Sequence, residues 1–320
     1  MTGNLAHDLN HTLWADLPED TSFPAKRPLL AHYTSVEVLE KILKTDEVWL
    51  SNPLYMNDIE ELEYGMNTGA EALRASAHIV DATRTPEVHR KLVAHFDRLF
   101  TEFDAKHALD TFVLCLSEHE PDDNDGLLSM WRGYGARGSG VAIVFDTAKL
   151  GAIEHSPLIL GNVHYASHLE REVWIETKLE QMAGVLRAHP TTDDNLLAVA
   201  RAWIERLKVF SLFTKHDGFS EEREWRVVYM SERDAADRLG RMHGYLITAR
   251  GVEPKLKLKL ASVPGVMDAS VGIEALTDRI ILGPTISTIL AANSVRKMLI
   301  LNNHGSLAAR VVESSIPFRP

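Results

Sequence analysis

Cysteine is nearly absent from this sequence, and no long apolar run occurs in it. Among 320 residues, Cys115 is the one cysteine, which excludes an internal disulfide and is typical of a reducing cytoplasm. Its apolar neighbours in Thr111–Leu116 predict a buried place in a strand. No stretch approaches the roughly 20 apolar residues of a membrane helix, and residues 1–20 lack the pattern of a signal peptide. We therefore expect a cytoplasmic protein with no membrane partner.

Positive charge is also scarce. The chain has 34 Lys and Arg against 45 Asp and Glu, a formal net charge of −11. Such a protein lacks the broad positive field that drives non-specific binding to nucleic acid, so a duplex-coating protein is disfavoured. The net charge does not exclude a local basic groove. The composition, 45% hydrophobic and 25% charged, is that of an ordinary globular protein with a buried core.

Strands and helices are both predicted, without strict alternation along the chain. The predicted strands are 29–33, 48–51, 111–117, 141–145, 225–230 and 279–284. The predicted helices are 36–43, 57–80, 86–108, 168–188, 193–214 and 286–301. The fold class is therefore α+β, with mixed sheets and flanking helices. We expect an irregular N-terminal lead-in over residues 1–28 and a single domain over 29–320, with helical insertions near 57–108 and 168–214.

Two local patterns sharpen these elements. The continuous apolar run 141–145 predicts a strand buried on both faces. Thr34 or Ser35 is predicted to cap the helix that follows the first strand, with Glu37 at the capping-box spacing from Thr34.

Polar residues follow the first two predicted strands. The first strand ends in His32-Tyr33-Thr34; a histidine can donate to a ribose hydroxyl, and a tyrosine can stack on a flat ring. Ser51-Asn52 follow the second strand, and Asn57 comes a short step later. One interpretation is a ligand-binding lip of the sheet. The other is a core histidine beside a packing tyrosine, with ordinary turn residues after the second strand.

A glycine-rich segment carries two further aromatic residues. Trp131 and Tyr134 are three residues apart and share a face if the segment is helical. They form either a wall on which a ligand stacks or part of the core. The spacing of the glycines is not GxGxxG, so a dinucleotide-binding fingerprint is excluded.

The most informative segment is Ser220–Arg226. Glu222, Glu224 and Arg226 alternate, so in a strand they would point to one face. Two carboxylates on one face repel each other unless they hold a ligand or a cation, and Arg226 could neutralise them. A surface ladder of charges is the alternative interpretation.

Together these pieces resemble a bacterial family, domain of unknown function 2971, from about residue 29 to near the C-terminus. The motifs that carry the resemblance are His32-Tyr33-Thr34-Ser35, Leu50-Ser51-Asn52-Pro53 with Asn57-Asp58, Leu114-Cys115-Leu116-Ser117, Met130-Trp131 with Tyr134, Gly140–Asp146, Lys215-His216, Glu222–Arg226, Ile281–Pro284 and Ser314–Pro317. The family name supplies no activity.

A more distant resemblance, to ADP-ribosyltransferases, implies one. In that group an early strand bears His or Arg, a second strand bears Ser or Tyr, and a late strand bears the catalytic Glu, often as Glu-x-Glu or Gln-x-Glu. The order here is His32, then Ser51, then Glu222-x-Glu224. The resemblance implies a split β-sheet core and NAD as a substrate. The sequence departs from the group's pattern because Tyr33 follows the histidine directly and the second strand has no Ser-Thr-Ser run.

The same resemblance implies roles for single residues. Glu224, Glu222 and His32 would be catalytic: Glu224 would stabilise the ribose cation, and Glu222 would act on the acceptor, a nucleic acid or a protein. His32, Tyr33, Thr34, Ser51, Asn52, Asn57, Trp131, Tyr134 and Arg226 would bind NAD. The nicotinamide would lie against Tyr33 or Trp131, and Arg226 or Arg132 would meet the pyrophosphate. Phage defence and stress response are the expected settings.

Two other functions stay open. The chain is alternatively a non-catalytic sensor that binds a nucleotide or a partner, or a nuclease in which Asp58, Glu222 and Glu224 gather a divalent ion. No metal is expected in the transferase interpretation. His164 and His168 would share a helical face with Glu172, but Tyr165 stands where the zinc motif HExxH has glutamate.

Overall fold

A computed structural model describes residues 4–17, 26–56, 59–151, 153–268 and 271–318. The chain forms two compact units, each assembled from separate segments. Unit 1 comprises Met1–Glu19, Pro53–Asp110 and His164–Gly218; unit 2 comprises Asp20–Asn52, Thr111–Val163 and Phe219–Pro320. The predicted helical insertions near 57–108 and 168–214 fall in unit 1, whereas the domain boundaries 1–28 and 29–320 stay a prediction.

The secondary structure mixes helices with strands, as the α+β class requires. The helices are α1 (Leu5–Trp14), α2 (Val36–Thr45), α3 (Ile59–Ala75), α4 (Ala77–Thr83), α5 (Pro86–Glu102), α6 (Leu128–Gly133), α7 (His168–Ala188), α8 (Asp193–Phe213), α9 (Ile273–Leu276) and α10 (Ile289–Leu301). The strands are β1 (Leu29–Thr34), β2 (Glu47–Ser51), β3 (Thr111–His119), β4 (Val141–Asp146), β5 (Leu158–Asn162), β6 (His164–Tyr165), β7 (Thr214–Lys215), β8 (Glu224–Met230), β9 (His243–Thr248), β10 (Gly251–Lys259), β11 (Thr277–Leu282) and β12 (Val311–Glu313).

Unit 1 is a helical body built around α8. Helices α1, α3 and α5 pack against α8, and α7 packs against α1 and α4. Two glycines on α3 permit the close approach of α8, because a Cβ on Gly69 would lie 2.2 Å from Leu207 Cδ2 and one on Gly65 would lie 2.2 Å from Ser211 Oγ. Trp203 of α8 is fully buried, and its Nε1 donates to the Gly69 carbonyl at 3.2 Å.

Unit 2 is a large mixed sheet with flanking helices. Among the described residues, eight of its strands run in the order β12-β11-β4-β1-β3-β2-β10-β9, and β8 lies between β3 and β5. The β11–β12 pair is parallel and the remaining pairs of this sheet are antiparallel. The α+β class with a mixed sheet and flanking helices is confirmed.

The sheet divides along one edge of β3. β8 occupies the other edge, pairing with β3 from Thr111 to Ser117. Two strands pair with the first edge of β3: β1 pairs with residues 117–119 of β3, and β2 pairs with Val113 alone. Between these contacts, residues 114–116 have no strand partner on this edge in the part of the chain that the structure describes. The polar ends of β1 and β2 therefore lie on either side of a split in the sheet.

Strand pairing also defines two faces of the sheet. Ala31, Ser117 and Glu224 are opposite one another across β1, β3 and β8, so they share a face, which we call the carboxylate face. Leu116 and Trp225 are opposite one another on the other, aliphatic face, which also carries Leu30 and the larger hydrophobic core. A smaller core around Trp131 covers Ala31 and Tyr33 on the carboxylate face.

Several predicted boundaries are confirmed, and others are wrong. Helices α7 and α8 begin where predicted, because Ser167 and Thr192 accept from backbone amides at their N-termini. The predicted helix 57–80 ends early, since Ser76 interrupts it and caps α4. Ser35, not Thr34, caps α2. His164 lies in β6, outside α7, so it does not share a helical face with His168 and Glu172.

The strand Val141–Phe145 is buried throughout, as its composition predicts. The sequence pattern missed β5, β9 and β10. Strand β10 carries the alternation Lys255-Leu256-Lys257-Leu258-Lys259, a signal of a half-buried strand, directly after Pro254, which disfavours a strand.

Candidate functional site

His32 lies at the split in the sheet. Strand alternation places it on the aliphatic face, since its neighbours Ala31 and Tyr33 belong to the core of the carboxylate face. The imidazole forms a hydrogen bond with the Cys115 backbone, on the segment of β3 that has left β1. Burial lowers the pKa of His32, and this hydrogen bond opposes the shift. The ring thus satisfies a backbone group that a neighbouring strand would otherwise bind.

Tyr33 and Trp131 form a buried aromatic pair. Their ring centroids are 4.8 Å apart in an edge-to-face arrangement, and Trp131 is fully buried. The Leu127 amide donates to Tyr33 Oη at 2.9 Å, and Trp131 Nε1 donates to the Asp125 carbonyl at 2.7 Å. Burial raises the pKa of Tyr33 to about 12. In this arrangement neither ring offers a face on which a nicotinamide could stack.

Glu224 and Arg226 form a buried ion pair on the carboxylate face. Arg226 Nε donates to Glu224 Oε1 at 2.7 Å, and Arg226 Nη2 donates to Glu224 Oε2 at 3.1 Å. The residues are 4% and 5% exposed. The predicted neutralisation of a carboxylate by Arg226 is therefore present, in the two-pronged geometry that a guanidinium allows.

Glu222 stands apart from Glu224, contrary to the expectation that both alternate along one strand. It ends the turn Asp217–Glu222, and β8 begins at Glu224. Arg223 between them has φ of 48°, a left-handed conformation that is uncommon for a residue with a side chain. This backbone turn breaks the period of two, so the predicted shared face is wrong for Glu222.

Glu222 is the more accessible of the two carboxylates. It is half-buried, and the exposed Tyr134 donates from its hydroxyl to Glu222 Oε1 at 3.3 Å. Ser117 Oγ donates to the Glu222 carbonyl at 2.6 Å, which fixes the turn to β3. Arg223 reaches outward to Glu118 Oε1 at 3.2 Å and Glu120 Oε1 at 2.5 Å. The Glu222 carboxylate is thus held by a tyrosine and its backbone by a serine.

The end of β2 and the neighbouring strand β10 place a serine and a lysine on the carboxylate face. Ser51 is opposite Val113 and Lys255, and Lys255 Nζ donates to Ser51 Oγ at 2.9 Å and pairs with Glu253 at 3.2 Å. Sequence reasoning missed Lys255, although its alternation with leucines was a usable signal.

Two other predicted residues are buried near the strand ends. Asn52 is fully buried and donates to the Thr111 carbonyl at 2.9 Å. Thr34 is 8% exposed and is paired with Val141. Both therefore have structural roles in this arrangement.

The structure thus brings together some predicted residues and separates others. Glu222 contacts both Tyr134 and Ser117, and Glu224, bound to Arg226, is opposite Ser117 on the carboxylate face. Ser51 is opposite Val113 of β3, and Glu224 is opposite Ser117. These two positions of β3 are four residues apart, roughly 13 Å at the usual rise of a strand. His32 occupies the opposite face.

The predicted Asn57 and Asp58 lie outside the described residues. Within the described ranges, no group of three or more His, Cys, Asp or Glu is arranged to hold a metal ion. In the same ranges no helix has the length and apolar character needed to cross a membrane.

Comparison with known proteins supports one resemblance. No curated protein and no solved structure matches the chain. A family model does match residues 130–227, which include Trp131, Tyr134, Glu222 and Glu224. Over these residues the chain is similar to the family described as "Protein of unknown function (DUF2971)", which supports the resemblance that its motifs predict.

Proposed function

We propose that the chain transfers ADP-ribose from NAD to a nucleophilic acceptor. The observation that carries the proposal is the pair Glu222-x-Glu224 at the start of β8, beside the split between β1 and β2. The order of His32, Ser51 and Glu222-x-Glu224 along the chain is the one that the resemblance to ADP-ribosyltransferases implies, although His32 lies on the opposite face of the sheet from Glu224. The family match itself carries no activity.

The geometry favours Glu222 as the carboxylate that acts on the substrate. Glu224 is buried and both of its oxygens accept from Arg226, whereas Glu222 is half-buried and contacts the exposed Tyr134. A fixed carboxylate stabilises the positive charge that develops on the ribose when nicotinamide leaves. Glu224 with Arg226 would hold the start of β8, and so the Glu222 carboxylate, in place.

The proposed reaction is a substitution at the nicotinamide ribose. The bond between C1′ and the nicotinamide nitrogen breaks, and nicotinamide leaves with the electron pair. The acceptor's nucleophile forms the new bond to C1′, and its proton passes to the carboxylate of Glu222, a general-base role. Water as the acceptor would give NAD hydrolysis by the same steps.

We assign the NAD-binding roles to accessible side chains in place of the buried ones. Tyr134 is 44% exposed and takes the stacking role that the buried rings of Tyr33 and Trp131 do not fit. Arg132 is exposed, with its guanidinium 5.5 Å from the centre of the Phe318 ring, and is the better partner for the pyrophosphate than the buried Arg226.

The test is nicotinamide release from NAD, together with the mass gain of added nucleic-acid and protein acceptors. We expect Glu222→Gln to lower the rate by about 10²-fold or more, as removal of one stabilising group at a transition state does. The matched control is Glu221→Gln, which alters the preceding exposed carboxylate and should leave the rate unchanged. Absence of both nicotinamide release and NAD binding by the wild type would refute the proposal.

The buried Glu224–Arg226 pair favours a second function, a nucleotide-binding module without catalysis. In that case the ion pair is part of the scaffold, and NAD or another nucleotide binds stoichiometrically without turnover. Calorimetric titration with NAD, repeated with Tyr134→Ala, separates the two: binding that is weakened by Tyr134→Ala without any nicotinamide release supports the binding module. A chelator added to nuclease assays tests the metal-dependent alternative.

A further inference from the structure

A cavity of about 760 Å³ lies in unit 2, on the aliphatic face of the sheet. Its floor includes Leu30, Leu114, Leu116 and Val227, from three neighbouring strands. The rest of the lining comes from Val48, Phe145 and described residues within 146–151, 153–160, 258–268 and 271–276. The cavity is thus on the opposite face from Glu224, and nothing in the proposed function uses it.

Side chains of the floor and wall show that the space is reached from outside. Val227 belongs to β8, a strand that is paired on both sides, yet its side chain is only half-buried. Leu158 and Leu160 of β5 are also half-buried and line the same cavity. These aliphatic groups face a space that none of the described residues fills.

An occupant with an apolar body explains this space. Apolar side chains left in contact with water cost free energy in proportion to their exposed area, and ordered water requires two or more polar partners. The floor is aliphatic and offers water few such partners. The volume lies within the roughly 300–1,000 Å³ of small-molecule sites.

The charged residues among the described lining are all acidic. Asp146, Glu154 and Asp268 line the cavity, and its lining includes no Lys, Arg or His among the described residues. Lys149 pairs with the half-buried Asp146 at 3.5 Å, and His155 pairs with Glu154 at 3.4 Å. Lys149, His155 and Glu154 are exposed, and ion pairs of exposed side chains contribute little. The site therefore disfavours an anionic ligand and suits a cationic end group.

We propose that this cavity binds a small molecule with an aliphatic chain and a cationic amino end. The chain lies over Leu116 and Val227, and the amino group lies near Glu154 and Asp268. This site is separate from the carboxylate face, so the binding proposal does not depend on the transferase proposal.

Calorimetric titration with three probes tests the proposal: dodecylamine, dodecanol and dodecanoate, each below its micelle concentration. We expect one site per chain, with dodecylamine binding at least about tenfold more tightly than dodecanoate. Glu154→Gln combined with Asp268→Asn should remove most of that difference. No binding of any probe, or dodecanoate binding as tightly as the amine, overturns the proposal.

Cavity-filling variants locate the site. Val227→Phe and Leu160→Phe place larger apolar groups in the space, and each should weaken dodecylamine binding about tenfold or more while the melting temperature shows that the protein is folded. The matched control is Val252→Phe at a 60% exposed position on β10, which should leave binding unchanged. Unchanged binding in a folded filling variant places the probe elsewhere and refutes the site.

Discussion

At the scale of single residues, two carboxylates that are two positions apart have different environments. Glu224 is the first residue of β8 and is buried with Arg226, whereas Glu222 belongs to the preceding turn and is half-buried. The left-handed conformation of Arg223 separates them. Backbone strain of this kind persists only where the surrounding structure enforces it, here through the contacts of Arg223 with Glu118 and Glu120.

The buried phenol of Tyr33 predicts a loss of stability in alkaline solution. Its pKa is about 12 in the folded chain, against about 10 in the unfolded chain. Between these values the unfolded chain loses the proton and the folded chain keeps it, so the free energy of unfolding falls as pH rises. The fall amounts to roughly 2–3 kcal/mol over this window, and it is absent below about pH 10.

Urea unfolding at a series of pH values measures this effect. Tyr33→Phe should remove this contribution to the alkaline fall, while it lowers stability near neutral pH by about 1 kcal/mol through the lost acceptor for the Leu127 amide. Tyr245→Phe, which alters a 60% exposed tyrosine, should leave the fall unchanged. An alkaline fall of equal size in Tyr33→Phe would contradict the assignment.

At the scale of elements, Gly140, in the loop between α6 and β4, lies close to the backbone at the end of β1. A Cβ on Gly140 would lie 2.1 Å from the Thr34 carbonyl oxygen, and backbone atoms cannot move aside as a flexible side chain can. We expect Gly140→Ala to lower the free energy of unfolding by about 1–3 kcal/mol. Urea denaturation measures this change.

Gly184→Ala is the matched control for Gly140→Ala. Gly184 lies inside α7, and nothing is within 4 Å of a Cβ placed there. Alanine is the better helix former, so this variant should raise stability by about 0.5–1 kcal/mol. Equal effects of the two substitutions would show that the contact with Thr34 has no influence.

Some elements were predictable because their signals are local. Ser167 and Thr192 are N-cap residues directly before α7 and α8, and the apolar run 141–145 is typical of a buried strand. Strand β10 was missed because Pro254, which has no backbone N–H, argues against a strand; it is opposite Tyr245 of β9, and the pairing with β2 starts at the next residue, Lys255. The interruption at Ser76 was missed because the apolar spacing on either side of it continues.

At the scale of the whole molecule, net charge limits the partners. With 45 acidic and 34 basic side chains, the chain repels polyanions at long range. We expect labelled duplex DNA to bind no more tightly than about 10⁻⁴ M at physiological salt, measured by fluorescence anisotropy. Tighter binding that weakens steeply with added salt would contradict this expectation and reveal a basic surface.

The α+β class, the starts of the long helices α7 and α8, the buried strand Val141–Phe145 and the Glu-x-Glu-x-Arg motif follow from the sequence alone, because each depends on neighbours a few residues away. Tertiary structure decided which of these side chains a ligand can reach. Tyr33 and Trp131 are core residues, and His32 and Glu224 occupy opposite faces, because β1, β3 and β8 come from distant parts of the chain and only their pairing fixes each face. The cavity arises for the same reason, since its floor is assembled from these three strands.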